Sequence, residues 1–414
     1  MIRSTCLLVS STILTLTVEA QDCGPIDYIT PQFAVEVETS VLYGTAPRFD
    51  GGTDSLRMNI HRPVGDGVSE RPLLIAVHGG AFIGGDRSDM DQVCSWYAAR
   101  GYVAATVSYR LGFYPPVILP NPFAYDAAEV VRASYRAQQD VKGAIRYLRE
   151  RHAVDQSSLE NVYLYGVSAG GITAMHVAYA TEEANKPAAC GAMGPVDHGA
   201  QQYPRADLGS IEGLLNVNGY DASVKGCVSY FGGLLDTAFI GSATEPALFT
   251  YHQTGDPIVG CGHQQALWGA PLGIGSNYPW LYGSCAIDPH MQQLGFDTDR
   301  YEFHPYTGAE HDIHDIPLVD GWAAEFLARQ FCGGNTSIPG GTHTTEAIVI
   351  QRGGNLEVVS TDPVQELRLV DSRGRLAAAG NSRILATGHL ASGVYVLAIR
   401  TARSVTSQRV LIAP

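Results

Sequence analysis

Beyond its first twenty residues the sequence has no run long and apolar enough to cross a bilayer, so nothing later in the chain is expected to form a membrane span. Positive charge is scarce: 27 Lys and Arg stand against 41 Asp and Glu, a net charge of −14. Such a field repels phosphate backbones and anionic lipid surfaces, which removes nucleic acid from the expected partners. None of the eight Cys forms a CxxC pair or falls at zinc-ligand spacing, so no metal is expected. Charged residues make up only 16% and apolar ones 45%, which excludes an acidic disordered protein and fits a large packed core. At 414 residues the chain is expected to hold two or three units.

Residues 1–20 combine Arg3, a short apolar and hydroxyl-rich run from Cys6 to Val18, and the ending Val18-Glu19-Ala20 before Gln21. The order charged, apolar, small is that of a secretory signal peptide; a buried first strand or helix is the alternative. Export predicts a secreted or cell-surface protein in which structural disulfides are the leading use of Cys23, Cys94, Cys190, Cys227, Cys261, Cys285 and Cys332. The pairs Cys190–Cys227 and Cys261–Cys285 each bracket a Gly-rich stretch whose freedom a cross-link would limit. The odd count leaves at least one thiol unpaired.

From Pro72 onward, short β-branched runs alternate with helical stretches, the pattern of a mostly parallel sheet flanked by helices. Strands are expected at Leu73–Val77, Tyr102–Tyr109, Asn161–Tyr165, Gly226–Phe231, Ala247–His252 and Arg300–Phe303. Helices are expected at Asp89–Arg100, Ala127–Arg151, from Ala169, and at Leu318–Phe331; Ala34–Tyr43 and Ser55–His61 read as a leading hairpin. In Ala127–Arg151 the residues Val141, Ala144, Ile145 and Leu148 form one apolar face. A catalytic α/β domain is thus assigned to 24–332, a Gly-rich linker to 333–344, and a small all-β sandwich to 345–414, from five alternating runs there.

Gly166-Val167-Ser168-Ala169-Gly170-Gly171 follows an apolar strand and opens a helix, the setting in which GxSxG forms a nucleophile elbow. Ser168 is the candidate nucleophile, with glycines two residues either side relieving crowding at a strained turn. His78-Gly79-Gly80-Ala81-Phe82 ends an earlier strand, and the amides of Gly80, Ala81 and Ala169 are assigned as an oxyanion hole. His78 is expected to brace that loop. The fold order nucleophile, acid, histidine points to Asp256, with Asp236 as its rival, and then to His311, with His314 as its rival. His311, Asp312, His314 and Asp315 offer a metal site as an alternative, but no third ligand is evident for it and no cofactor is expected. Phe82, Phe113, Tyr114, Trp268 and Trp280 are candidate substrate contacts, from aromatic-rich loops at strand ends; their alternative is surface loops pinned by stacking.

Taken together, His78–Phe82, Tyr109-Arg110-Leu111-Gly112 and Gly166–Gly171 resemble the HGGAF, YRLG and GxSAGG segments of bacterial carboxylesterases and lipases of the α/β-hydrolase fold, over about residues 30–332. The resemblance implies hydrolysis of a small-molecule or polysaccharide-linked ester without metal or organic cofactor, with family members acting on aryl, acetyl, feruloyl or acyl-glycerol esters. Through Leu367–Arg375 and Leu390–Leu397 the C-terminal module is similar to the sorting domain of the type IX secretion system, which implies that machinery as a partner; the PNP-like opening of that family is missing, and a carbohydrate-binding module is the rival. Two other functions stay open: a serine peptidase of the prolyl-oligopeptidase type, which usually adds a propeller for which there is no room, and a non-catalytic binding protein, which would be expected to have lost a triad residue.

Overall fold

The structure is a computed structural model that describes residues 23, 26–115, 123–198, 201–268, 271–332, 347–352, 354–360, 363–371, 376–401 and 405–412. The expected signal peptide at 1–20 and the linker at 333–344 lie outside the described residues.

Two long antiparallel strands lead, β1 (Ala34–Pro47) and β2 (Thr53–Val64). There follow β3 (Arg71–Val77), α1 (Asp91–Ala98), β4 (Val103–Val107), α2 (Ala127–Glu150), the single turn α3 (His152–Asp155), β5 (Ser157–Val167) and α4 (Ala169–Tyr179). The second half supplies β6 (Met193–His198), β7 (Gln201–Arg205), β8 (Gly226–Tyr230), β9 (Gly233–Leu234), β10 (Ala247–Gln253), β11 (His263–Gln265), β12 (Trp280–Gly283), α5 (Ser284–Leu294), β13 (Tyr301–Tyr306) and α6 (Ile316–Phe331). Eight strands form one sheet in the order β1-β2-β4-β3-β5-β8-β10-β13, parallel from β4 to β13.

Both faces of this sheet are covered, which is why β3, β4, β8 and β10 are buried at every position instead of alternating with solvent. The pleat still sorts their side chains. Leu73, Ile75 and Val77 of β3 pack on the core beneath α2 and α4, whereas Leu74 and Ala76 pack on the opposite core with Tyr97 of α1 and Phe326 of α6.

Helix α2 departs from the expected single buried face: polar residues around its circumference are buried too. The reason lies in residues 181–225, much of it irregular chain whose carbonyls need donors once solvent is excluded. Arg132 donates to the carbonyls of Ala189 and Gly191, Gln139 to those of Leu208 and Ser210, Arg146 to that of Leu215, and Arg149 to those of Asp221 and Ser223. Long polar side chains on one regular element thereby hold an irregular one. A second buried anchor is the Arg110–Asp140 pair, in which Nε lies 2.9 Å from the carboxylate and the Arg110 amide also donates to it at 2.8 Å.

Three features escape the periodic pattern. The β6–β7 hairpin and the β11-β12-β9 sheet rest on strands of two to six residues, and α5 carries Pro289 inside it. The Cys261–Cys285 pair is bonded, but Cys190–Cys227 is not: Cys190 sits with Val131 and Tyr135 against α2, while Cys227 lies inside β8 in the main core. Cys23 instead bonds Cys332, closing residues 309 apart, and Cys94, Cys190 and Cys227 are buried free thiols.

Among the later described residues, β14 (Ala347–Arg352), β15 (Asn355–Ser360) and β18 (Ile384–Ala386) form one antiparallel sheet. β17 (Leu376–Gly380), β16 (Val364–Asp371), β19 (Gly393–Thr401) and β20 (Val405–Ile412) form another. Leu356, Val358, Leu367, Leu369, Leu397 and Ile399 fill a core of their own.

Because Cys23–Cys332 ties the start of the described chain to the end of α6, its loss releases much unfolded-state freedom. The full-length Cys23→Ser/Cys332→Ser protein is expected to lose about 2–4 kcal/mol of stability. Denaturant unfolding against the wild type measures this, and an unchanged midpoint with unchanged slope contradicts it.

Candidate active site

Parallel strands all end on one side, so residues just past β3, β5, β8, β10 and β13 are delivered to one edge of the sheet. Ser168 stands between β5 and α4 at φ 58° and ψ −122°, a conformation that costs a non-glycine residue about 1–3 kcal/mol. Its surroundings hold it there. The Ser168 amide donates to the Tyr230 carbonyl at 2.9 Å, and its carbonyl accepts from the Ile172 amide at 2.9 Å. A Cβ on Gly166 would lie 2.2 Å from the Gly170 carbonyl oxygen, and one on Gly170 would lie 2.0 Å from that of Val77. Both glycines are therefore required by backbone proximity.

Asp256 follows β10 and is buried. Its Oδ1 accepts from the amides of Ile258 and Val259 at 2.8 and 3.1 Å. Its Oδ2 lies 2.7 Å from His311 Nδ1, and His311 Nε2 lies 2.8 Å from Ser168 Oγ. The three candidate side chains thus meet in one hydrogen-bonded row. Burial alone pushes the Asp256 carboxyl up, but hydrogen bonds from His252 and His311, attraction to His311 and the Ile258 amide outweigh it and hold the pKa at about 2.

The rivals go elsewhere. Asp236 caps the short helical turn after it by accepting from the Ala238 amide, and His314 stacks on Tyr306 with Nδ1 2.9 Å from the Tyr251 hydroxyl. Asp315 caps α6 through the Leu318 amide, so His311, His314 and Asp315 each serve a different partner. Among the described residues no group of three His, Cys, Asp or Glu is placed to hold a metal ion.

Gly80, Ala81 and Phe82 are three successive left-handed residues, at φ 112°, 52° and 62°, closed by the Ile83 and Gly84 amides on the Gly80 carbonyl. Among the described residues, the amides of Gly80, Ala81 and Ala169 donate to no protein acceptor. Ala81 and Ala169 border a cavity that also exposes Ser168. His78 braces the loop: its Nδ1 is 2.7 Å from the Gly79 carbonyl, its ring stacks 4.4 Å from Tyr109, and burial lowers its pKa.

That cavity has a volume of about 250 Å³ and is lined mainly by aliphatic side chains of α2, α4 and the chain between β10 and β12. Of the aromatic candidates, only Phe82 lines it. Phe113 is buried in the main core, and Tyr114 stacks on Tyr203 with its hydroxyl on the Phe49 carbonyl, so both support the scaffold. Trp268 is 47% exposed with Nε1 on the Asp256 carbonyl, and Trp280, 54% exposed, packs beside His263. Strand alternation explains the last case: Leu281 faces the cavity, so its neighbour Trp280 faces away.

Two residues of β10 that sequence reading gave no role shape the site. His252 bridges Ser284 Oγ at 3.0 Å and the Val259 carbonyl at 2.7 Å; its Nε2 is 3.5 Å from Asp256, so the carbonyl is its nearer partner and the carboxylate its second. Gln253 accepts from the Glu310 amide and donates to the Asp312 carbonyl, both at 2.9 Å, clasping the chain on either side of His311. Only their place at the buried end of a strand beside Asp256 could have signalled them.

The chain is similar to several known proteins over part of its length. Residues 74–213 match a family described by the alpha/beta hydrolase fold. Human carboxylesterase 3 is 32% identical over 133 residues, a stretch that spans 32% of this chain and 22% of that relative. Thermogutta terrifontis esterase 2, solved phosphoramylated by tabun, is 17% identical with a TM-score of 0.45, covering 72% of this chain and 95% of that one. A truncated carbohydrate esterase from gut microbiota is 14% identical with a TM-score of 0.41, covering 72% and 98%. The family match and the strand order together establish that the chain carries an α/β-hydrolase fold.

Proposed function

We propose that this chain is a serine carboxylic-ester hydrolase working through an acyl-enzyme. The observation that carries the reading is the row Ser168 Oγ, His311 Nε2, His311 Nδ1, Asp256 Oδ2, with separations of 2.8 and 2.7 Å, opening on an apolar cavity. In this reading His311 takes the Ser168 proton as Oγ attacks the ester carbonyl, and Asp256 orients the imidazole and stabilises its cation. The amides of Gly80, Ala81 and Ala169 receive the oxyanion. His311 then returns the proton to the leaving alcohol, and water repeats the sequence to release the acid.

Export is a further part of the proposal, based on the order of residue types in 1–20 and supported by two disulfides, which persist in oxidising compartments. The C-terminal antiparallel sheets are compatible with a sorting module handled by type IX secretion machinery. No helix among the described residues is long and apolar enough to cross a membrane.

The wild-type full-length protein is expected to hydrolyse p-nitrophenyl acetate and butyrate, and Ser168→Ala to lower kcat by roughly 10³-fold or more. Equal turnover by the two proteins refutes the reading. Asp256→Asn is expected to cost about 10⁴-fold in kcat through loss of the oriented imidazole; activity within about tenfold of wild type would remove Asp256 from the mechanism.

The depressed Asp256 pKa also fixes a sign for stability. A carboxyl held at about 2 contributes fully above its unfolded value near ~4 and loses that contribution as pH falls toward 2. The difference in Tm between wild type and Asp256→Asn should therefore shrink as pH is lowered from about 4 to about 2. Thermal melts across that window check it; a constant difference contradicts it.

A further inference from the structure

The cavity beside Ser168 is largely apolar, and besides Ser168 itself the polar side chains in its walls are Tyr278 and Ser134. Phe82, Val131, Ile172, Leu267 and Leu281 are among its walls, and Ser134 of α2 lines it as well. Ser134 is only 7% exposed, and among the described residues its hydroxyl has no hydrogen-bond partner. That contrasts with Thr173 in the neighbouring helix, whose hydroxyl returns to the Ala169 carbonyl at 2.8 Å. A hydroxyl left unmated in an apolar cavity costs free energy when a ligand displaces its water, unless the ligand supplies a partner.

The side of the ester that enters is set by the proton path. The leaving oxygen must lie within reach of His311 Nε2, and His311 is not among the cavity walls. The alcohol therefore leaves on the His311 side, and the acyl chain takes the cavity. At about 30 Å³ for a small group, 250 Å³ holds about eight non-hydrogen atoms.

We infer that this cavity is the acyl site and that Ser134 selects an aliphatic chain of up to about eight atoms carrying one oxygen, a hydroxyl or keto group. The inference rests on the hydrolase reading above. Ser134 acts as a specificity residue: its hydroxyl both donates and accepts, so either oxygen type satisfies it, while a plain alkyl chain leaves it unmated.

The test compares full-length wild type with Ser134→Ala on p-nitrophenyl hexanoate and its 3-hydroxy, 5-oxo and 6-hydroxy derivatives, with a circular-dichroism melt as a check of folding. The ratio of kcat/KM for the best oxygenated ester to that for hexanoate is expected to fall about tenfold in Ser134→Ala. Rates on unsubstituted esters should rise from acetate to hexanoate and drop beyond about octanoate. Ratios equal in the two proteins for all three derivatives overturn the inference. A second arm needs no turnover: calorimetric titration of Ser168→Ala with hexanoic acid and the three oxygenated acids, with Ser134 intact or replaced by Ala. Preference for an oxygenated acid only with Ser134 intact supports the site even if no ester is cleaved, in which case the hydrolase reading alone falls. Hydrolysis of acetate with no discrimination in either arm leaves that reading standing and ends this one.

Discussion

Everything at the functional edge depends on how closely the backbone of the β5–α4 turn approaches the end of β3. Where a Gly170 Cβ would sit, the Val77 carbonyl oxygen is 2.0 Å away, and Gly166 is as tightly placed against the Gly170 carbonyl. That contact locks Ser168 into a backbone conformation it would not choose alone, and the same approach brings the loop from His78 to Phe82 alongside it. Ser168 and the proposed oxyanion donors are thus placed by one crossing of main chains, and side-chain packing has only to preserve it.

The second half of the site is assembled differently. Asp256 and His311 arrive on chain segments after β10 and β13, neither of which is held by a helix at that point. Hydrogen bonds from β10 do the holding instead. Gln253 clasps the chain around His311, while His252 and two backbone amides fix the carboxylate. Buried polar residues at the end of a parallel strand therefore convert two loops into a rigid partner for Ser168, as electrostatic preorganisation demands.

The sheet was legible in the sequence because strands buried on both faces are written as unbroken apolar runs, such as Leu73–Val77 and Ala247–Phe249. Ser168 and Asp256 stood out as candidates because each stands just past such a run, whereas His311 follows β13, a half-buried edge strand, and was picked out only by its place in chain order. The cavity wall was not: aromatic residues in loops suggested a mouth, yet Phe113 and Tyr114 are spent on the scaffold, and aliphatic residues of α2 and α4 line the cavity. Nor could periodicity reveal that α2 is buried all round, because its outer arginines and glutamines read as solvent-facing until the chain of 181–225 is laid over them. Cysteine spacing likewise identified the local bridge Cys261–Cys285 but could not reach Cys23–Cys332, residues 309 apart that only the folded chain brings together.

The account stands most directly on whether Ser168 becomes acylated. Rapid acid quench of the full-length protein during turnover of p-nitrophenyl butyrate, followed by peptide mass mapping, reads this. The expected result is a burst of p-nitrophenol near one equivalent and a butyryl mass increment on the peptide holding Ser168. Turnover without any adduct, or with the adduct on another residue, would contradict the mechanism.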